Sequence, residues 1–171
     1  MTKVKVWDLL IRLFHWSLVL AFAIAWLTED DFKDLHELAG YTVLGLIAFR
    51  VIYGFIGPKY SRFSDFVKSP EIVKAYLVNL LAGRHESHLG HNPAAGYMVI
   101  ALLASVTCAA LTGWMMEIDM FWGYEWVEEI HEAMASLALG LVFIHISGVI
   151  VMSLVEKQNL AKSMLTGLKQ R

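Results

Sequence analysis

The sequence predicts an all-α integral membrane four-helix bundle, with both termini in the cytoplasm and a short interfacial helix between the second and third spans. Three observations predict it. Hydrophobic residues make up 57% of the 171 residues and charged residues 18%, against about 45–50% and about 25% in ordinary soluble domains. The excess gathers into four runs, each matching the roughly 20 apolar residues that cross a bilayer as a helix. The charges beside those runs are sorted by sign, so the net charge of −2 conceals a strong asymmetry. The length suits one domain, 1–171.

The first span covers about 7–27. Lys3, Lys5 and Arg12 with the stretch Ala23, Ile24, Ala25 resemble a secretory signal. A signal core is shorter and free of a residue such as Arg12 or His15, so a retained span is expected. The second span, about 36–56, stops at Gly57 and Pro58. The third, about 93–116, follows Asn92 and has Pro93 in its first turn. The fourth covers about 128–155. Between the second and third, Ser69, Pro70 and Glu71 precede Ile72, Val73, Tyr76, Leu77, Leu80 and Leu81, and Gly83 follows. An N-cap, a proline start, helical apolar spacing and a glycine stop predict a short helix on the cytoplasmic membrane surface, structural in role.

Orientation follows from lysine and arginine in the short flanks. With the N-terminus inside, Lys3, Lys5 and Arg12 are cytoplasmic. So are Lys59, Arg62, Lys68, Lys74 and Arg84 in the middle loop, and Lys157, Lys162, Lys169 and Arg171 at the tail. Only Lys33 falls outside. Glu29, Asp30, Asp31, Asp34, Glu37, Glu117, Asp119, Glu125, Glu128, Glu129 and Glu132 all lie at the outer ends.

Several chemistries are excluded. Cys108 is the only cysteine, which rules out an intrachain disulfide and a four-thiolate iron–sulfur or zinc site. No Cys-x-x-Cys-His occurs for covalent haem attachment, and there is no Gly-rich phosphate loop or nucleophile elbow. No nucleic-acid partner is expected.

Polar residues inside a span are costly and mark function by default. His131 and His145 are 14 residues apart on the fourth span, close to four whole turns. Both therefore face one way, about 21 Å apart along the axis. Ala135, Ala138 and Val142 lie between them on that face and leave room for a flat macrocycle. Depth selects partners for two stacked haems. His36 opens the second span at the outer level of His131. His15 lies about 10 Å in from the inner side and His145 about 14 Å. The expected pairs are His36 with His131 on an outer haem b, and His15 with His145 on an inner haem b, while the third helix closes the bundle. Two imidazoles leave iron no open position, which favours electron transfer over oxygen activation.

Arg50 follows His36 by 14 residues on the same face, one layer nearer the cytoplasm. A buried guanidinium there calls for an anion, and a propionate of the inner haem supplies one. Arg12 could serve likewise. Gly40 would let the outer haem approach the backbone. His91, just before Asn92 and Pro93, could reach the inner haem or a quinone head group, whereas His85 and His88 read as a solvated loop. The bland alternative is that each histidine simply hydrogen-bonds a neighbouring helix. The chemical competitor is a histidine-based metal transporter, whose ligands would converge rather than split into two layers.

These residues resemble the bacterial cytochrome b561 family, which includes the b-type subunits of nickel–iron hydrogenases. The resemblance covers nearly the whole chain. It rests on Trp7 and Asp8 through His15 and Trp16, on His36 to Tyr41, Arg50 and the run Tyr53 to Pro58, on Gly90 to Pro93, and on His131 with His145. The tail from Gln158 to Met164 looks like a subgroup often paired with periplasmic c-type haem proteins. The resemblance implies that His15, His36, His131 and His145 are the haem iron ligands and that a quinone, ubiquinone or menaquinone, is the lipid-side redox partner in the bacterial inner membrane. The leading expectation is electron transfer between the quinone pool and a periplasmic partner such as a c-type cytochrome. Alternatives are a haem subunit assembled with a hydrogenase-like dehydrogenase subunit, or a superoxide:quinone oxidoreductase with Lys33 as a local funnel.

Overall fold

The structure, a computed structural model, describes residues 2–29, 31–84 and 87–170. Asp30, counted above with the outer acidic residues, and His85 and Glu86 of the polar loop lie outside the described residues. In chain order the elements are β1 (Lys3–Lys5), α1 (Leu9–Leu27), α2 (Lys33–Ile56), a 3-10 turn (Lys59–Ser61), α3 (Phe63–Phe66), α4 (Pro70–Leu81), α5 (Pro93–Met116), α6 (Glu125–Val155), α7 (Leu160–Thr166) and β2 (Leu168–Gln170). Helices α1, α2, α5 and α6 are long and apolar enough to cross a membrane. Between 11% and 28% of their apolar windows is buried within the protein. The rest of that surface requires a hydrocarbon solvent, and continuous helix satisfies the backbone there.

Caps set the boundaries. Asp8 Oδ1 accepts the Ile11 N–H at 3.0 Å, so α1 begins at Leu9 rather than at 7. Asn92 Oδ1 accepts the Ala95 N–H at 2.8 Å and starts α5 at Pro93. Helices α2 and α6 each begin three residues before the spans expected from hydropathy. Their first turns carry Asp34, Glu125 and Glu128, and acidic groups at a helix N-terminus complement its dipole. The short helix α4 starts at Pro70 after an extended Ser69, but the Ser69 side chain makes no capping bond to the helix.

The chain divides into two compact units. The helical unit comprises Leu13–Val51 and Ala101–Val142, and all four long helices contribute to its core. Ala21 comes from α1, Val43 and Ile47 from α2, Val106 from α5 and Ala138 from α6, with Leu18, Phe22, Leu46 and Ala110 packed around them. Lipid provides no hydrophobic force between helices, so small residues such as Ala21 and Ala138 gain contact by letting backbones approach.

The terminal unit comprises Met1–Arg12, Ile52–Ile100 and Phe143–Arg171. Here β1 and β2 pair antiparallel, Lys3 with Gln170, Val4 with Lys169 and Lys5 with Leu168. Hydropathy gave no sign of this strand pair. Asn159 Oδ1 accepts the Lys162 N–H at 2.7 Å to start α7. Gly167 ends it at φ +80°, and its carbonyl accepts the N–H groups of Val6 at 2.9 Å and Trp7 at 3.1 Å. A side chain there would meet the Trp7 carbonyl at 2.6 Å, so glycine is required for both conformation and space.

Candidate functional site

In the helical unit His36, in the first turns of α2, faces His131 of α6. Their ring centroids are 6.0 Å apart and their planes 73° from parallel. Nδ1 of His36 lies 2.8 Å from the Ala25 carbonyl on α1, and Nδ1 of His131 lies 2.8 Å from the Ala109 carbonyl on α5. A carbonyl can only accept, so in each bond Nδ1 is the donor and Nε2 is the nitrogen left for another partner. Every one of the four long helices thus contributes a ring or the carbonyl that orients one.

Gly113 of α5 makes the approach possible, because a Cβ there would lie 3.0 Å from Cε1 of His131. A Cβ at Gly40 would meet nothing within 4 Å, so the space above it is open, and the same holds at Gly45 and Gly140. The face between His131 and His145 is not uniformly open. Ala138 is fully buried in the core, whereas Ala135 and Val142 are half-buried. Arg50 of α2 is buried to 2% exposure. His15 is half-buried, with its ring edge-on to Trp16 at 5.0 Å. His15 belongs to the helical unit and His145, which is half-buried, to the terminal unit. At the start of α2, Lys33 Nζ lies 3.3 Å from carboxylate oxygens of both Glu37 and Glu117.

The terminal unit uses its histidines differently. His91 is packed between the rings of Trp7 and Phe66, 4.8 Å from each. His88, expected in a solvated loop, is half-buried with its ring edge-on to Tyr76 at 5.6 Å. Burial of the loop explains the difference. Lys169 of β2, 6% exposed, donates to the carbonyls of His88 at 3.0 Å and Gly90 at 3.5 Å, and its ammonium lies 3.9 Å from Glu156. Burial pushes the Lys169 ammonium below the usual lysine range, and Glu156 opposes the shift. Arg12 donates to the Leu165 carbonyl and, at 3.3 Å, to that of Asp8.

Asp8 also accepts from the hydroxyls of Tyr53 at 2.8 Å and Ser61 at 2.7 Å. Burial alone would raise its carboxyl, but the bonds from Ser61, the Ile11 N–H and Tyr53 outweigh it and hold it below the usual carboxylate range.

Sequence reasoning missed Gly113, the two orienting carbonyls and the Lys169 anchor. A glycine inside an apolar helix is a signal of close approach. A carbonyl has no signature, because every residue carries one. Among the described residues, no three His, Cys, Asp or Glu side chains gather where they could hold a metal ion.

Four helices long and apolar enough to cross a membrane define a multi-pass membrane protein. The model of the family described as prokaryotic cytochrome b561 matches residues 6–167, and the chain belongs to that family. It is accordingly a bacterial membrane protein with b-type haem and a transmembrane electron-transfer function. No individual curated protein matches the chain.

Proposed function

We propose that the chain holds two b haems, an outer one between His36 and His131 and an inner one between His15 and His145. In this reading it carries electrons across the bacterial inner membrane between the quinone pool, ubiquinone or menaquinone, and a periplasmic redox partner such as a c-type cytochrome. The observation that carries the reading is the His36–His131 pair. A ligating imidazole nitrogen sits about 2 Å from a metal, and adding about 1 Å of ring radius on each side sets centroids about 6 Å apart. The observed 6.0 Å fits. Both rings are held through Nδ1, which leaves Nε2 to the iron and fixes the tautomer. Bound between two imidazoles, haem iron exchanges single electrons with no open position for oxygen.

Arg50, buried in the second half of α2, suits a propionate of the inner haem. Arg12 and His91 are proposed as further propionate or quinone contacts, and Gly40 as the open floor beneath the outer haem. The termini are cytoplasmic in this reading, supported by the basic residues around the paired β1 and β2, with α4 on the same membrane surface. At the outer side Lys33 is flanked by Glu37 and Glu117. That favours a cationic docking partner over the anion superoxide.

The test is a reduced-minus-oxidised spectrum with a haem-to-protein ratio on the purified protein, expected to give two b haems per chain. Replacing His36 or His131 should remove the outer haem, and replacing His15 or His145 the inner one. Absence of haem, or loss of the opposite haem, overturns the reading. Stopped-flow mixing with a quinol and with a c-type cytochrome checks the two partners.

A further inference from the structure

The two carbonyls that orient the outer histidines are not equally available to them. Thr112 of α5, 6% exposed, donates its hydroxyl to the Cys108 carbonyl at 2.8 Å and to the Ala109 carbonyl at 3.0 Å. The Ala109 carbonyl is the one that accepts from His131 Nδ1 at 2.8 Å. The same motif recurs beyond the end of α1. Thr28, 8% exposed, donates to the Ile24 carbonyl at 2.7 Å and reaches only 3.5 Å from the Ala25 carbonyl, which accepts from His36 Nδ1. A hydroxyl that reaches back three or four residues along a helix is ordinary. What is specific here is that the carbonyl chosen also holds a site imidazole. The sharing is close at Thr112 and marginal at Thr28.

We propose that Thr112 is a positioning residue that sets the reduction potential of the outer haem by sharing the Ala109 carbonyl with His131. The inference rests on the assignment of His36 and His131 as ligands to that haem. An acceptor on Nδ1–H draws the imidazole proton outward and makes Nε2 a stronger donor to the metal. A stronger donor stabilises ferric iron over ferrous and lowers the potential. The Thr112 hydroxyl takes part of the accepting capacity of the Ala109 oxygen and weakens the His131 bond, which raises the potential. His36 feels little of this, because Thr28 spends its hydroxyl on Ile24. The potential of one haem is thereby adjusted through one of its two axial ligands, by a side chain that acts on the histidine through a shared carbonyl.

The experiment is an optical redox titration of the purified full chain carrying Thr112→Val, Thr112→Ser or Thr28→Val, with electron paramagnetic resonance of the ferric state. Valine keeps the volume of threonine and removes the donor; serine keeps the donor. In Thr112→Val the outer midpoint should move down, so that the ratio of reduced to oxidised outer haem at a fixed potential falls several-fold, and the ferric g values should shift with ligand strength. Thr112→Ser should stay at the wild-type value, and Thr28→Val should move less than Thr112→Val. The inner haem should not move in any of them. Thr112→Ala replaces the valine variant if that protein loses haem. An unchanged outer midpoint in a donorless variant that retains both haems overturns the proposal, as does an equal shift in Thr112→Ser. Failure of the ligand assignment has a different signature, namely retention of the outer haem when His131 itself is replaced.

Discussion

The two units place the same residue type in opposite settings. In the helical unit, His36 and His131 each have Nδ1 tied to a backbone carbonyl, and their rings lie 6.0 Å apart. In the terminal unit, His88 and His91 lie against aromatic rings, and the backbone of their loop is fastened by Lys169. An imidazole available to a metal and an imidazole used as packing cannot be told apart by residue type. They differ in whether the ring is tied to a backbone carbonyl or packed against aromatic rings. The helical unit is held by small apolar contacts around one core, the terminal unit by side-chain hydrogen bonds joining distant segments. Each unit should therefore fail in its own way.

The largest effect is expected at Lys169. Replacement by methionine removes the cost of keeping an ammonium buried, but it leaves Glu156 buried without its cation and strips a donor from the His88 and Gly90 carbonyls. Breaking one side of a buried ion pair costs about 3–5 kcal/mol, which exceeds what methionine packing returns. Lys169→Met should lower the thermal midpoint in detergent sharply, and adding Glu156→Gln should recover part of the loss. The outer haem spectrum at temperatures below the transition should be unchanged. An outer haem lost in parallel would erase the distinction between the units.

Gly113→Ala probes the helical unit at smaller cost. The new methyl would sit 3.0 Å from Cε1 of His131, tighter than a relaxed carbon contact. The ring must turn away from the Ala109 carbonyl to relieve it. Disturbing the orientation of a metal ligand costs about 10-fold to 100-fold in affinity, and about 10-fold is expected here because a few tenths of an ångström suffice. The measurement is haem retention during dilution, read as the fraction of outer haem remaining. Wild-type retention would mean that His131 is not held against α5 in the haem-bound protein.

The four spans, their apolar surfaces and the outer histidine pair were legible because they depend on local composition and on period. Runs of about 20 apolar residues, a 14-residue repeat and a depth ladder need no knowledge of tertiary contacts. What was illegible depends on contacts between residues far apart in sequence. The pairing of β1 with β2 joins the two ends of the chain, three residues each. Lys169 reads as one more cytoplasmic charge from the tail, yet it is buried because that pairing carries it beneath the His88 loop. The polar run from His88 to His91 has the composition of a solvated loop. It is covered because Trp7, Phe66 and Tyr76 supply rings that no local pattern connects to it. Asp8 was visible only as part of the run from Trp7 to Trp16 that carries the family resemblance, and its bonds to Tyr53 and Ser61 span 45 and 53 residues.

Asp8 also gives the smallest and most diagnostic effect. Its carboxylate accepts from a backbone N–H and two hydroxyls, and they hold its titration below the ordinary value of 3.8 despite the opposing push of burial. A carboxyl with a lowered folded-state value contributes stability that is present above the unfolded value. That contribution is lost as pH falls through the folded value. Wild-type stability should therefore decline on the acid side below about pH 4, as the proton returns and the acceptor weakens. Asp8→Asn keeps one carbonyl oxygen but presents an amide donor where the carboxylate accepted, so one of the two hydroxyls must turn away. The expected cost near neutral pH is about 1 kcal/mol, at the low end for bonds to a charged group because Asp8 is only half-buried. Melting followed by circular dichroism between pH 7 and pH 3 should show this loss at neutral pH and a gap between variant and wild type that narrows toward the acid end. A gap constant across that range would mean that the bonds to Tyr53 and Ser61 do not depend on the charge of Asp8, and that the terminal unit is joined there by packing rather than by an anion.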